Sequence, residues 1–247
     1  MNAEKRINII KNWILSYTES TGTNLETLVV GVSGGIDSSV VSAICAKTGI
    51  NTIAASMPIK QKNSQHSLSI QHQDWLKRNF KNIECPIINL DNVFKNFQND
   101  LSNYSSEIGF ANSRSRIRMA TLYQIAKSKN GIVVGTGNKV EDFGVGFYTK
   151  YGDGGVDISP IADCTKTQVW EMGKELGILE SIIHAKPTDG LWDDGRNDED
   201  QLGLSYTQIE EAMKNNKSKY YDKYLSIRKP NIHKMVPIPV CKFEKDE

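Results

Sequence analysis

Neither sign of charge prevails in this sequence. Its 247 residues carry 30 Lys plus Arg against 29 Asp plus Glu, a formal net charge of +1. A protein that gripped nucleic acid through a strong global field would show a clearly basic total, so that class is disfavoured. Long apolar runs are missing as well. No stretch approaches the ~18 residues of a membrane span, and Glu4, Lys5 and Arg6 stand ahead of a broken apolar pattern where a signal peptide would be continuous. Cysteine is scarce and scattered: Cys45, Cys85, Cys164 and Cys241 form no CxxC pair. That spacing rules out a zinc ribbon and argues against a disulfide scaffold. With 38% hydrophobic and 24% charged residues the composition is that of an ordinary globular protein. The expectation is a soluble, reduced, cytoplasmic chain with neither a nucleic-acid nor a membrane partner.

What is present is an alternation of periods. Ile7, Ile10, Ile14 and Tyr17 recur at helical spacing over 7–17. The β-branched run Thr27–Val32 reads as a buried strand, and Val40, Val41 and Ile44 continue as a helix that stops at Gly49. Strands are expected over Asn51–Met57, Glu84–Leu90 and Gly131–Gly135. Helices are expected over Ser64–Phe80, Ala111–Lys127, Thr207–Lys214 and Lys217–Ile227, while Thr188–Gln201 has no period. Such alternation predicts an α/β fold, a doubly wound parallel sheet flanked by helices in the Rossmann-like manner. No repeat or linker divides it, so residues 1–247 read as one domain.

The chemistry begins at GVSGGIDSS, 31–39, between the first strand and its helix. Gly34 and Gly35 let the backbone turn tightly and bring N–H groups close to an anion. The helix start adds its dipole, and Ser33 and Ser38 add hydroxyl donors. Asp37 would repel phosphate unless a divalent cation lay between them, so it reads as a Mg²⁺ ligand. The loop is neither GxxxxGK[ST], having no lysine after its glycines, nor GxGxxG.

SGGIDS resembles the pyrophosphate loop of the N-type ATP pyrophosphatases, an adenine nucleotide alpha-hydrolase-like superfamily whose members split ATP and adenylate an acceptor. The loop alone does not choose among them. The rest of the chain does: GTGNKVEDFGVGFYTKYGDGGVDISPIADCTKTQV (135–169), SRSRIRM (113–119), KPT (186–188), DEDQLGLSY (198–206) and HKMVP (233–237) resemble, in order and spacing, ammonia-dependent NAD synthetase. The resemblance implies ATP-dependent amidation of deamido-NAD by ammonia through an acyl-adenylate, with release of AMP and pyrophosphate. It implies that Gly31, Val32, Ser33, Gly34, Gly35, Ile36, Asp37 and Ser38 hold ATP together with Thr136, Lys166 and Thr188. Asp37 and Glu141 would be the metal ligands and, with Lys166, the catalytic set. Arg116, Lys150, Asp157, His233 and Lys234 would hold deamido-NAD. It also implies a homodimer, for which Ile117, Met119, Leu122 and Ile125 on the Arg116 helix are interface candidates, although the sequence equally allows them to be core.

Bland readings stand beside these. Arg114, Arg116 and Arg118 could be a solvated helix face, Asp157 could brace a turn, and Lys166 could be a surface lysine. Rival members of the superfamily that act on tRNA would favour a basic surface or a cysteine pair, and a non-enzymatic nucleotide sensor would not need two metal carboxylates. Three departures from the family pattern are visible. Glu141 to Lys150 is one residue longer, so 143–146 is expected to bulge. Cys164 replaces a leucine, and Arg196–Asn197 stand within a polar loop that is a candidate lid. No segment is left over for a glutamine-cleaving amidase domain, which points to free ammonia.

Overall fold

The computed structural model describes residues 1–20, 25–60, 63–188 and 197–243. Four parallel strands, β1 (Thr27–Gly31), β2 (Asn51–Ala55), β3 (Ile83–Glu84) and β4 (Gly131–Val133), form a sheet among these residues in the order β3-β2-β1-β4. The chain therefore leaves β1 to one side for β2 and returns later to its other side for β4. In open α/β sheets ligands bind at the carboxyl ends of the strands flanking such a reversal, which here are β1 and β4.

Helices cover both faces. Leu28 and Val30 of β1 pack with α1 (Ala3–Ser20), α2 (Ile36–Lys47) and, further along the chain, α6 (Lys166–Glu175). Val29 points the other way, with Ile53 and Val133, toward α4 (Asp91–Asp100) and α5 (Glu107–Ser128). The alternation is the period-2 geometry of a strand buried on both sides. The third helix, α3 (Asn63–Asn79), is fixed by Leu76 against Val32, Ala43 and Ala54. A further cluster around Val140, Tyr206 and Ile209 joins the segment after β4 to α9 (Tyr206–Lys214) and α10 (Tyr221–Arg228), with α7 (Glu180–Ile183) and α8 (Asp198–Leu202) preceding them.

Several expectations change in detail. The strand expected over Glu84–Leu90 shortens to Ile83–Glu84 with one further bridge, Ser56 to Ile87. Pro86 has no N–H to give to the ladder, although its carbonyl still accepts from Ser56 N at 3.0 Å. The helix expected from Lys217 starts at Tyr221, and α4 adds a helix that the sequence reading did not contain. Ile117, Leu122 and Ile125 pack half-buried on the chain's own core. The arginine row is not uniformly solvated: Arg116 is exposed, but Arg114 is buried over the Phe94 ring, and Arg118 Nε donates to Met57 O at 3.0 Å. Burial, and after it the charge of Arg114, brings the Arg118 guanidinium down to about 10. The polar loop lies outside the described residues over 189–196. No described helix is long and apolar enough to cross a membrane.

Beneath the glycine loop lies His72, fully buried, stacked on Trp75 and with Nε2 2.9 Å from Ser42 Oγ. Ser42 Oγ donates to Ser38 O at 2.7 Å, so Nε2 carries the proton and Nδ1, which meets no partner among the described residues, is a bare lone pair. Burial holds the imidazole down at about 4, from an ordinary 6.5. As pH falls from roughly 6.5 toward 4 the unfolded chain takes up this proton and the folded chain does not, so stability is lost with falling pH over that window, by up to about 3 kcal/mol. The stability difference between the parent and His72→Gln should therefore shrink or reverse on going from pH 7.5 to pH 5 in urea titrations. A difference independent of pH would refute it.

Candidate active site

The glycine loop is braced from within. Ser33 Oγ accepts from Gly35 N at 3.2 Å and lies 3.2 Å from Ser38 Oγ, which donates to Gly35 O at 3.1 Å. Gly34 has φ +90°, the left-handed region that glycine enters without strain. Val32 and Ile36 turn their side chains into the core, and Val32 N is taken by Ala55 O. Ile36 also meets Gly173 of α6, where an added Cβ would stand 2.6 Å from Ile36 Cδ1. Helix α2 starts on Gly35 with no side-chain cap, so its first N–H groups are left for another acceptor.

Asp37, in the first turn of α2, is the meeting point of three segments. Lys166 Nζ, from the start of α6, lies 2.5 Å from Asp37 Oδ2 and 2.8 Å from Glu141 Oε1. The lysine side chain is 2% exposed, against 16% and 15% for its partners, so this is a buried ion triad and not a surface bridge. Burial alone would lower the Lys166 ammonium, but the two carboxylates more than offset it and its pKa is raised. Asp37 is pushed up by burial and, against the pull of Lys166, by the neighbouring Glu141 charge. One ammonium between two carboxylates leaves a net charge of −1 in a dry place, a standing attraction for a cation.

Asn138 fixes two of these groups at once. Its Nδ2 donates to Asp37 Oδ1 at 3.1 Å, while its Oδ1 accepts from Val140 N and Glu141 N at 2.9 and 3.0 Å. That cap opens a π-helical turn, Lys139–Val145, closed by Gly146 at φ +69° with its N–H on Glu141 O. A π turn is wider than an α turn and often marks a functional site, and this one overlaps the 143–146 stretch where a bulge is expected. The turn keeps Glu141 facing Lys166 while placing Asp142 behind Gly137.

The basic residues gather beyond this turn. Arg116 Nε donates to Lys150 O at 3.3 Å, and Lys150 Nζ donates to His233 O at 3.0 Å. Lys234 Nζ donates to Gly146 O and Tyr148 O, both at 2.9 Å, and the Tyr148 hydroxyl donates to Lys234 O. Burial lowers the Lys234 ammonium. A cavity of about 340 Å³ opens here, lined among others by Gly135, Gly137, Asp142, Tyr148, Asp153 and Lys234. Asp157 lies apart, its oxygens engaged by Val133 N (2.8 Å) and the Tyr123 hydroxyl (3.1 Å), as a turn brace would be. Thr136 follows β4 at the switch point, and Thr188 stands half-buried beside Pro187, whose carbonyl accepts from Asp198 N.

Sequence reasoning missed Asn138, Asp142, Asp153 and Tyr206. An Asn ahead of a charged turn is a readable cap signal. The Tyr206 hydroxyl, which donates to Glu141 from 65 positions away, has no local signal. Among the described residues no three His, Cys, Asp or Glu side chains are grouped to hold a metal on their own.

Known proteins resemble this chain along nearly its whole length. The NAD synthase family model matches residues 6–240. The NH(3)-dependent NAD(+) synthetase of Alkaliphilus metalliredigens is 35% identical over 248 residues, covering 97% of this chain and 99% of that one. The NH(3)-dependent NAD(+) synthetase of Methanococcoides burtonii is 39% identical over 203 residues, 79% of this chain and 74% of its own. Among solved structures, an NMN synthetase from Francisella tularensis superposes with a TM-score of 0.90 at 28% identity, over 98% of this chain and 100% of that one. With the family model spanning nearly the whole chain, and a buried triad at its switch point, this protein belongs to the NAD synthase family.

Proposed function

We infer that this chain amidates deamido-NAD with ammonia at the expense of ATP, the last step of NAD biosynthesis, and is thus a ligase forming a C–N bond. The observation that carries the reading is the convergence of Asp37, Glu141 and Lys166 beside a glycine loop with unpaired helix N–H groups. A nicotinate carboxylate is a poor acyl donor. Attack of one of its oxygens on the ATP α-phosphorus expels pyrophosphate and gives the acyl-adenylate; ammonia then adds to the acyl carbon, AMP leaves, and one proton is released. Such a sequence needs positioning and charge stabilisation more than an acid–base residue, since ammonia is its own nucleophile.

Roles follow from placement. The loop Gly31, Val32, Ser33, Gly34, Gly35, Ile36, Asp37 and Ser38 receives the triphosphate, with Thr136 and Thr188 as further ATP contacts. The Gly34 N–H and the first N–H groups of α2 from Ile36 onward serve as donors, while the N–H groups of Val32, Ser33 and Gly35 stay in the bonds that brace the loop. Lys166 carries positive charge to the departing pyrophosphate. Asp37 and Glu141 suit Mg²⁺, which is commonly held by one or two carboxylates with substrate phosphates and water completing its shell; bound there, it would neutralise phosphate charge. Arg116, Lys150, His233 and Lys234 receive deamido-NAD, and Asp157 would do so only by sharing its present donors. A homodimer is the assembly proposed, supported by exposed Val93, Phe97, Tyr104 and Ile108 on α4 and near the start of α5.

One observation favours a second reading: the Francisella tularensis structure is that of an NMN synthetase, so the acceptor here would be the mononucleotide. Both readings are tested by incubating protein with ATP, Mg²⁺ and ammonium, with deamido-NAD or nicotinate mononucleotide in parallel. NAD, AMP and pyrophosphate should appear in equal amounts with deamido-NAD, and Asp37→Ala should lower turnover by roughly 10²-fold or more. Amide formed only on the mononucleotide selects the second reading, and ATP left uncleaved with either acceptor sinks both.

A further inference from the structure

We propose that Tyr206 is a positioning residue of this reaction: its hydroxyl holds Glu141 on Lys166 and links that pair, through Asp198, to the segment that carries Thr188. The inference rests on the roles just given to Glu141 and Lys166. Tyr206 opens α9 and is 1% exposed. Its ring and that of Trp170 stand perpendicular with centroids 5.9 Å apart, and Lys166 Nζ stands 5.0 Å from the tyrosine centroid. The hydroxyl donates to Glu141 Oε1, the same oxygen that accepts from Lys166. A carboxylate oxygen held by two donors from two helices has one rotamer left to it.

The same hydroxyl lies 3.1 Å from Asp198 Oδ2. One phenol proton cannot serve two carboxylates at once, so Tyr206 has two acceptors to choose between. While Glu141 rests on Lys166 the short contact takes the proton; when Glu141 turns to another partner, Asp198 is the acceptor in reach. Asp198 in turn donates its backbone N–H to Pro187 O at 3.0 Å, next to Thr188. Tyr206 N is held by Glu199 Oε1 at 2.9 Å, so α8 grips the tyrosine by two adjacent acidic residues. Aligning a carboxylate at the start of α8 with a phenol that begins α9 serves no packing need, since phenylalanine would fill the same space.

Tyr206→Phe keeps the ring and removes only the hydroxyl. Its kcat should fall roughly 10- to 30-fold, with the KM for ammonium unchanged and Tm within about 2 °C of the parent. In single-turnover pyrophosphate release, Tyr206→Phe should add no further loss in a Glu141→Ala background. Asp198→Asn should give a smaller loss, non-additive with Tyr206→Phe, and both variants should speed amide exchange at Asp198. A Tyr206→Phe enzyme with parental kcat, or losses that simply multiply with those of Glu141→Ala, would overturn the proposal while leaving the activity assigned. An active Glu141→Ala enzyme would instead remove the reading on which it rests.

Discussion

Lys166→Met should stop pyrophosphate release almost completely, by roughly 10²–10³-fold, and should also weaken the fold. The two effects have one cause. The ammonium sits 2.5 and 2.8 Å from Asp37 and Glu141 with 2% of its side chain exposed, so nothing from solvent can replace it without rearrangement. Removing one partner from a buried ion pair typically costs about 3–5 kcal/mol, because the charge left behind stays dry. Here two carboxylates would be left. The cheapest relief is a proton, and Asp37 is already pushed upward by burial. A carboxyl group whose folded pKa lies above its unfolded value contributes stability below the unfolded value and loses it as pH rises through the folded one. Lys166→Met should therefore be least stable, relative to the parent, at pH 8 and should recover part of the deficit at pH 6. Urea titrations at the two pH values check the stability, and rapid-quench assays check the chemistry. Pyrophosphate release at the parental rate would make Lys166 a strut and not a charge for the leaving group.

How much of this was legible in the sequence depends on the range of each interaction. The glycine loop, the strand before it and the helix after it were readable because all their determinants lie within a dozen residues: a β-branched run, Gly34–Gly35, and an acidic first helical turn. The sheet's parallel character was readable from the alternation of periods. Glu84–Leu90 was overextended because the apolar pattern carries no penalty for Pro86, whereas the hydrogen-bond ladder does. Whether the arginines at 114 and 118 were solvated stayed open, because residue spacing along a helix does not say what lies against it. For the candidate site, most residues quoted from the family resemblance fall in two groups, one around Lys166 and one around Lys150, while Asp157 lies apart. Of the side chains that hold those groups in place, Asn138 and Tyr206 were not read, and Asp198 was noticed without its partner. Their partners are 101, 65 and 8 residues distant, and for the first two such pairings are a product of topology that no local pattern encodes.

The π turn that follows Asn138 leads to the second large effect, at Gly137. A Cβ on Gly137 would lie 1.9 Å from Asp142 Oδ2 and 2.4 Å from its Cγ, far inside contact distance. The π turn has brought the Asp142 carboxyl into the space that any side chain at 137 would need. Asp142 cannot retreat easily. Its N–H is bonded to Asn138 O at 3.1 Å, and Glu141 beside it is pinned by Lys166. Burial and the nearby carboxylates of Asp153, Glu141 and Asp37 already hold its pKa well above the ordinary range. Gly137→Ala must therefore drive the carboxyl into the 340 Å³ cavity it lines with Tyr148, Asp153 and Lys234. If deamido-NAD enters that cavity, its KM should rise roughly 10- to 30-fold, about 1.4–2 kcal/mol of lost binding, while the KM for ATP stays near the parental value. Overpacking should also cost about 1–3 kcal/mol of stability. The decisive variant is the pair Gly137→Ala with Asp142→Ala. Trimming the carboxyl removes the clash, so the double variant should bind deamido-NAD better than Gly137→Ala alone. A double variant as poor as the single one would mean that the cavity does not receive the acceptor, and that the defect lies in the loop joining β4 to Asn138.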